Sequence, residues 1–413
     1  MNSSPSPAPF KNPFKPGAGH APPHLAGRES EKQEFEKLLG QTTILENLVL
    51  TGLRGVGKTV LLDTFKPMAI SRGWHWVGAD LSESVSVSEE ALAIRLLADL
   101  SVVSSSVTVG QQEVVGFEQA PNPVALDYAT LIQVYGATPG LVADKLKAVL
   151  ELVAAATAGE SRRGIVFAYD EAQNLADSHA ENQFPLSVLL DVFQSIQRKG
   201  IPFMLALTGL PTLFPKLVEA RTFAERMFRV VRLQRLDDDA SREAILRPID
   251  SAECPVRFDD VSVQMICHQS GGYPYFIQFI CREVYDSFIQ SYSDEGKVVP
   301  VPLDAITRKL DSDFFAGRWA RATDRQRQLL WVIAHLENAG SEFTVQEIVG
   351  KSKDLLPKPF GNSHTNQMLS SMGDMGLIYK NRWGRYSFAV PLFDRFIHRQ
   401  ADSIEPQLQP QPG

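Results

Sequence analysis

The chain has 413 residues, 44% hydrophobic and 22% charged, which is ordinary for a folded protein of roughly two to three domains. Its net charge of −7 argues against a surface that coats nucleic acid throughout, and its three cysteines (Cys254, Cys267 and Cys281) lack metal-site spacing and read as reduced core residues. No uninterrupted apolar run reaches the ~18 residues a bilayer crossing needs, and no secretory signal is visible, so a cytoplasmic protein with no membrane partner is expected.

Residues 1–25, rich in Pro, Ser and Ala, predict an extended arm. An amphipathic helix follows to about Leu39, with Phe35, Leu38 and Leu39 as its apolar stripe. A short buried strand, Leu48-Val49-Leu50-Thr51, then runs into Gly52-Leu53-Arg54-Gly55-Val56-Gly57-Lys58-Thr59. That spacing fits G-x-x-x-x-G-K-[ST], the phosphate-binding loop or Walker A pattern. The glycines allow backbone angles closed to other residues, so that successive N–H groups can surround a phosphate. A helix opening at Lys58 and continuing through Val60, Leu61 and Phe65 adds the positive end of its dipole. Lys58 can reach the β- and γ-phosphates, and the Thr59 hydroxyl can ligate Mg²⁺. The order of strand, loop and helix predicts a nucleotide-binding protein.

A second strand is expected at Trp74–Ala79 and a helix around Glu89–Leu100, then a loop-rich insertion over 102–125 and a helix over Leu141–Ala156. Ile165 to Tyr169 form an apolar strand ending in Asp170-Glu171. A strand buried on both faces suits a parallel sheet, and ligands bind at the carboxyl ends of such strands. Asp170 fits the Walker B role of holding Mg²⁺, and Glu171 is suited to orient or polarise the attacking water. A helix (Leu186–Ile196) precedes the strand Phe203–Leu207, which ends in Thr208-Gly209. The Thr208 hydroxyl either touches the γ-phosphate or lytic water, or caps the turn before Pro211. A fifth strand, Phe228–Leu233, follows a basic run containing Arg221, Arg226 and Arg229. Arginine suits a transferring phosphoryl group, and Arg226 is the leading candidate for an arginine finger.

From Asp237 the period is helical, with a break at Gly271-Gly272-Tyr273-Pro274, and predicts a small helical lid over 236–300. A linker over 293–303 leads to a connecting helix, and Thr323 is a plausible N-cap for the last unit, 321–400. Helices at Arg325–Leu336, Thr344–Val349 and Ser363–Met375 precede two strands joined by Arg382-Trp383-Gly384-Arg385. That order is that of a winged helix-turn-helix. In such a fold His364 and Asn366 on the third helix face duplex DNA, while Arg382 and Arg385 on the wing meet phosphates. The alternative is a module that contacts protein, because the third helix carries no Lys or Arg. Residues 321–400 hold 11 basic against 7 acidic side chains, leaving 30 against 41 elsewhere, so this part alone is mildly suited to a polyanion. Residues 401–413 read as a disordered tail.

Gly27-Arg28-Glu29, the phosphate loop, Tyr169-Asp170-Glu171-Ala172-Gln173 and Leu207-Thr208-Gly209-Leu210-Pro211 together resemble AAA+ ATPases. The nearest groups are those with an origin-recognition-like, archaeal-type ATPase domain, which border the STAND signalling NTPases. The resemblance implies a P-loop α/β core over 26–235, a lid, a connecting helix at 301–320 and a C-terminal winged helix. It implies ATP and Mg²⁺ as ligands, Arg28 and Pro274 beside the nucleotide, Thr208 as sensor 1, and Arg226 acting on a neighbouring subunit of a homo-oligomer. No N-K-x-D tetrad of the guanine-reading kind is found, which also favours adenine. Where many AAA+ proteins place a sensor 2 arginine, this chain reads Gly272-Tyr273-Pro274, nearer the G-x-P turn of STAND proteins, and Arg282 lies too far along to replace it. A nucleotide-governed switch is therefore expected, with a DNA-binding role in replication, transposition or phage defence. The alternative is a STAND-like signalling NTPase whose C-terminal module binds a protein partner.

Overall fold

The computed structural model describes residues 11–17, 19–109, 124–158, 162–251, 257–295, 302–382 and 384–400. Two compact units emerge: Arg28–Gly52 with Lys58–Leu233, and Met1–Gly27 with Leu53–Gly57 and Gln234–Gly413. Cys254, Trp383, most of the 102–125 insertion and the 401–413 tail lie outside the described residues.

The first unit is a five-stranded parallel sheet. In chain order it contains α1 (Glu29–Leu39), β1 (Asn47–Gly52), α2 (Lys58–Ser71), β2 (Trp74–Val77), α3 (Glu89–Ser104), β3 (Thr108–Val109), β4 (Val124–Ala125), α4 (Tyr128–Ala137) and α5 (Val142–Thr157). Then come β5 (Gly164–Tyr169), α6 (Pro185–Arg198), β6 (Phe203–Gly209), α7 (Leu213–Ala220), α8 (Ala224–Met227) and β7 (Phe228–Leu233). The strand order is β2-β5-β6-β1-β7. Every residue of β1 and β6 is buried, as expected where a parallel sheet is covered on both faces. The edge strand β7 is buried only at its two ends. Because β6 lies between β1 and β5, the ends of three strands sit side by side, and these carry Gly52, Thr208 and the residues just before Asp170.

The insertion is more ordered than a plain loop. Helix α3 runs on to Ser104, and Thr108–Val109 pairs antiparallel with Val124–Ala125. Helix α4 was not legible from periodicity, although Asp127 caps it by accepting from the Thr130 N–H at 2.9 Å.

The second unit contains α9 (Asp238–Ser251), α10 (Asp260–Ser270), α11 (Pro274–Glu295), α12 (Leu303–Leu310), a π-helical turn (Asp311–Ala316) and α13 (Gly317–Ala320). It continues with α14 (Asp324–Ala334), α15 (Val345–Leu355), α16 (Asn362–Asp374), β8 (Ile378–Arg382), β9 (Arg385–Phe388) and α17 (Phe393–Arg399). The connecting helix expected over 303–319 is thus interrupted by the π turn. The helix after Thr344 is longer than its sequence suggested, reaching Leu355. Thr323 and Thr344 both form capping boxes, with Gln326 and Glu347. Phe343 bridges Tyr386, adding a third short strand segment to the β8–β9 hairpin. One apolar cluster runs from Phe14 of the arm through α9–α11 to Phe396 of α17.

Candidate functional site

Gly55 and Gly57 take φ of 79° and 92°, a region that favours glycine, so the loop has the backbone its spacing predicts. Val56 is buried, whereas Arg54 and Gly55 are exposed. Lys58 opens α2, and its Nζ donates to the Gly52 carbonyl at 3.0 Å.

In the sheet unit, the hydroxyl of Thr59 donates to Asp170 Oδ2 at 2.5 Å, and the buried Thr208 hydroxyl donates to Oδ1. The Glu171 N–H also donates to Oδ1, at 2.7 Å. Asp170 therefore collects three donors from three elements. Thr208 lies against Asp170 rather than capping the turn that follows it. Asp63 and Asp80 stand near this carboxylate. Desolvation first and the Asp170 charge second push both above the usual carboxylate range, and Glu171 adds to the effect on Asp80. Crowded negative charge of this kind suits a site meant to receive a cation.

Glu171 is exposed and sits at φ 51°, a strained backbone for a side-chain-bearing residue. Gln173, two residues on, donates from Nε2 to Glu171 Oε2 while its Oε1 accepts the Leu210 N–H at 3.0 Å. The Gln173 carbonyl accepts from Lys216 Nζ at 2.9 Å, and burial lowers the Lys216 pKa. Glu171 is thus tied to the end of β6 through one amide. Sequence reasoning noted Gln173 only as part of a resemblance, because its partner lies 37 residues away.

The three arginines before and within β7 separate cleanly. Arg221 grips Asp191 with two bonds of 2.7 and 2.8 Å, and Arg229 lies within 3.6 Å of Glu34 and 3.5 Å of Glu46. Arg226, on the short helix α8, is exposed and has no carboxylate partner among the described residues. Arg28 precedes α1, is buried, and pairs with Glu31 at 3.3 Å. Burial lowers its pKa against the opposing pull of Glu31.

In the second unit Pro274 is the first residue of α11, and the next N–H, that of Tyr275, donates to the Gly55 carbonyl at 3.1 Å. On α16, Thr365, Met368, Leu369 and Met372 are buried, whereas His364 and Asn366 are exposed; the Asn366 amide donates back to the Asn362 carbonyl at 3.0 Å. Arg382 ends β8 and Arg385 opens β9, half-buried. No described helix is long and apolar enough to cross a membrane.

A family model described as a domain of unknown function, DUF8462, matches residues 312–397. No curated protein matches the sequence. Among solved structures, a Walker-type ATPase of Pyrococcus abyssi is similar with a TM-score of 0.56 at 16% identity, over 91% of this chain and 96% of that one. The Orc2 protein of Aeropyrum pernix, in ADPNP–ADP complexes, gives a TM-score of 0.53 at 15% identity over 95% and 97% of the two chains. Its ADP form gives 0.53 at 14% identity over 96% and 100%.

Proposed function

We propose that this chain, which has the fold of origin-recognition-like AAA+ P-loop ATPases, is a slow, Mg²⁺-dependent ATPase that works as a switch. Subunits associate so that Arg226 serves a neighbour's nucleotide, and the nucleotide state governs DNA binding by a C-terminal winged helix. The observation that carries the proposal is the meeting of Thr59 with Asp170. Two residues 111 apart, chosen on separate motifs as Mg²⁺ ligands, lie 2.5 Å from one another. The similar structures support it in kind, since one is a Walker-type ATPase and the other was solved with ADPNP and ADP.

A hydroxyl and a carboxylate are donors that Mg²⁺ accepts, together with water and phosphate oxygens. Among the described residues no group of three or more His, Cys, Asp or Glu could hold a metal alone, which suits an ion that arrives with its nucleotide. Bound there, Mg²⁺ would neutralise phosphate charge. The loop N–H groups and Lys58 would position the polyphosphate, and Glu171 would orient water. Thr208 holds Asp170 in place.

Steady-state ATP hydrolysis tests the first half. Lys58→Ala should abolish nucleotide binding, and Glu171→Gln should keep binding while turnover falls about 100-fold or more. Nucleotide binding undiminished in Lys58→Ala would sink it. Titration of duplex DNA at a fixed low salt tests the second half, because phosphate contacts weaken as salt rises. Joint replacement of Arg382 and Arg385 by Ala should weaken binding, and unchanged affinity would remove the wing from the interface.

A protein-reading module is favoured by one feature: α16 presents no Lys or Arg. If DNA affinity is negligible in every nucleotide state, this STAND-like reading replaces the DNA switch.

A further inference from the structure

Helix α11, which begins against the phosphate loop, has little left to offer an anion. At its start Pro274 has no N–H, and the Tyr275 N–H is already given to Gly55. Positive charge reaches the loop from another segment. The π turn Asp311–Ala316 widens the helix locally and resets the phase of the residues after it; such turns recur at functional sites. Its Phe314 packs against Tyr275 (ring centroids 5.3 Å) and Phe276 (5.0 Å). Arg318, one turn later, lies over the Phe314 ring at 4.3 Å and donates to the Phe314 carbonyl. The line of contacts therefore runs from the loop carbonyl of Gly55 through Tyr275 and Phe314 to a guanidinium.

Arg54, on the exposed lip of the same loop, faces Arg318. Burial first and the Arg54 charge second lower the Arg318 pKa, and Arg321 acts in the same direction. Among the described residues neither Arg54 nor Arg318 has a carboxylate partner. Two guanidiniums held together beside a phosphate loop, with no carboxylate on either, repel each other until an anion joins them. Stacking on Phe314 keeps Arg318 from swinging away to solvent.

We infer that Arg318 is a phosphate-sensing residue that, with Arg54, contacts the terminal phosphate of a nucleoside triphosphate seated on loop 53–57. This rests on the nucleotide-binding reading above and supplies the arginine that the Gly272-Tyr273-Pro274 turn lacks. It also makes α13, which leads directly into the C-terminal helices, responsive to whether ATP or ADP is bound.

Calorimetric titration of the full chain with Mg-ATP and with Mg-ADP tests it, in a Glu171→Gln background that prevents turnover. Arg318→Ala should weaken ATP about 10-fold or more, the scale of a lost charge-assisted hydrogen bond, while ADP changes by less than about 2-fold. Arg318→Met keeps an apolar stem on Phe314 and should show the same selective loss; Arg318→Lys should recover part of it. A uniform fall for both nucleotides, or none, would overturn the assignment and leave Arg318 a packing residue. A Glu171→Gln parent that binds neither nucleotide would overturn the nucleotide reading as well, so the two failures are distinguishable.

Discussion

Thr208 and Asp170 meet at the ends of adjacent strands, the buried hydroxyl of one donating to the carboxylate of the other. This bond fixes one Asp170 oxygen and leaves the other to Thr59. Thr208→Ala removes a donor from a buried carboxylate, so it should cost about 1–3 kcal/mol of stability. It should also lower ATP turnover at saturating Mg²⁺, with Thr208→Ser restoring both. Chemical denaturation and steady-state kinetics on the three proteins decide the matter. Full activity in Thr208→Ala would show that Asp170 needs no help from β6.

The Gln173 amide should control how Glu171 meets water. Gln173→Ala frees the carboxylate from its tie to Leu210, so turnover should drop about 3- to 10-fold with KM little changed, as for loss of an orienting contact. Gly209 provides a second route to the same state. A Cβ there would lie 2.5 Å from Gln173 Oε1, closer than real contacts allow. Gly209→Ala should therefore displace the amide and reproduce the kcat defect. A fall in KM without a fall in kcat for either variant would contradict a positioning role.

Much of this site was legible because the phosphate loop and the β5 end are each written in contiguous residues. The strand β1 is apolar through most of its length because it is covered on both sides, and the loop's glycines mark the φ values they adopt. Which strand ends lie beside one another could not be read. Thr208 had two equal roles until the order β5-β6-β1 placed it against Asp170. The three arginines near β7 looked alike in sequence, and only their partners separate Arg226 from Arg221 and Arg229. Arg318 looked like one more helical arginine, since a π turn shifts the phase that periodicity assumes. Helix α4 escaped because its residues, Tyr-Ala-Thr-Leu-Ile-Gln-Val-Tyr-Gly-Ala, are rich in β-branched and aromatic types that read as readily as strand.

The arm should matter for stability. Phe14 is buried, stacks near Phe258 (6.5 Å) and meets Tyr285 edge-on (6.3 Å); the Asn12 amide donates to the Arg282 carbonyl at 3.0 Å. Phe14→Ala should cost about 3–5 kcal/mol, as other buried Phe truncations do. Differential unfolding of the two units would show the loss in the unit that contains residues 234 onward. An unaltered transition would mean that the arm's aromatic ring contributes nothing to that core.

Acid should relieve the carboxylate cluster. The folded pKa of Asp80 is raised, by desolvation and then by Asp170 and Glu171. The folded chain thus holds this proton more tightly than the unfolded chain, so stability falls as pH rises from the ordinary carboxylate range through the raised value. The penalty is fully present at neutral pH. Asp80→Asn should therefore raise the urea midpoint at pH 7 relative to wild type, with the gap closing as the pH approaches about 3, where both carboxyls are protonated. A gap independent of pH would assign the effect to packing instead of charge.

Arg226 is the exposed arginine of its run without a carboxylate partner among the described residues, so its loss should leave the fold intact and affect only catalysis. Arg226→Ala should bind ATP with near wild-type affinity yet lose about 100-fold or more in turnover, the scale of an arginine acting on a transferring phosphoryl group. Specific activity should then stop rising with protein concentration. Arg221→Ala breaks a partly exposed ion pair with Asp191, worth about 1 kcal/mol at most, and should keep its activity. Mixing gives the sharpest outcome. Arg226→Ala subunits retain Glu171, and Glu171→Gln subunits retain Arg226, so two preparations that are each inactive should recover hydrolysis when combined. Recovery requires that one subunit's arginine serve another's nucleotide. If the mixture stays inactive while both proteins associate, Arg226 does not act across a subunit boundary.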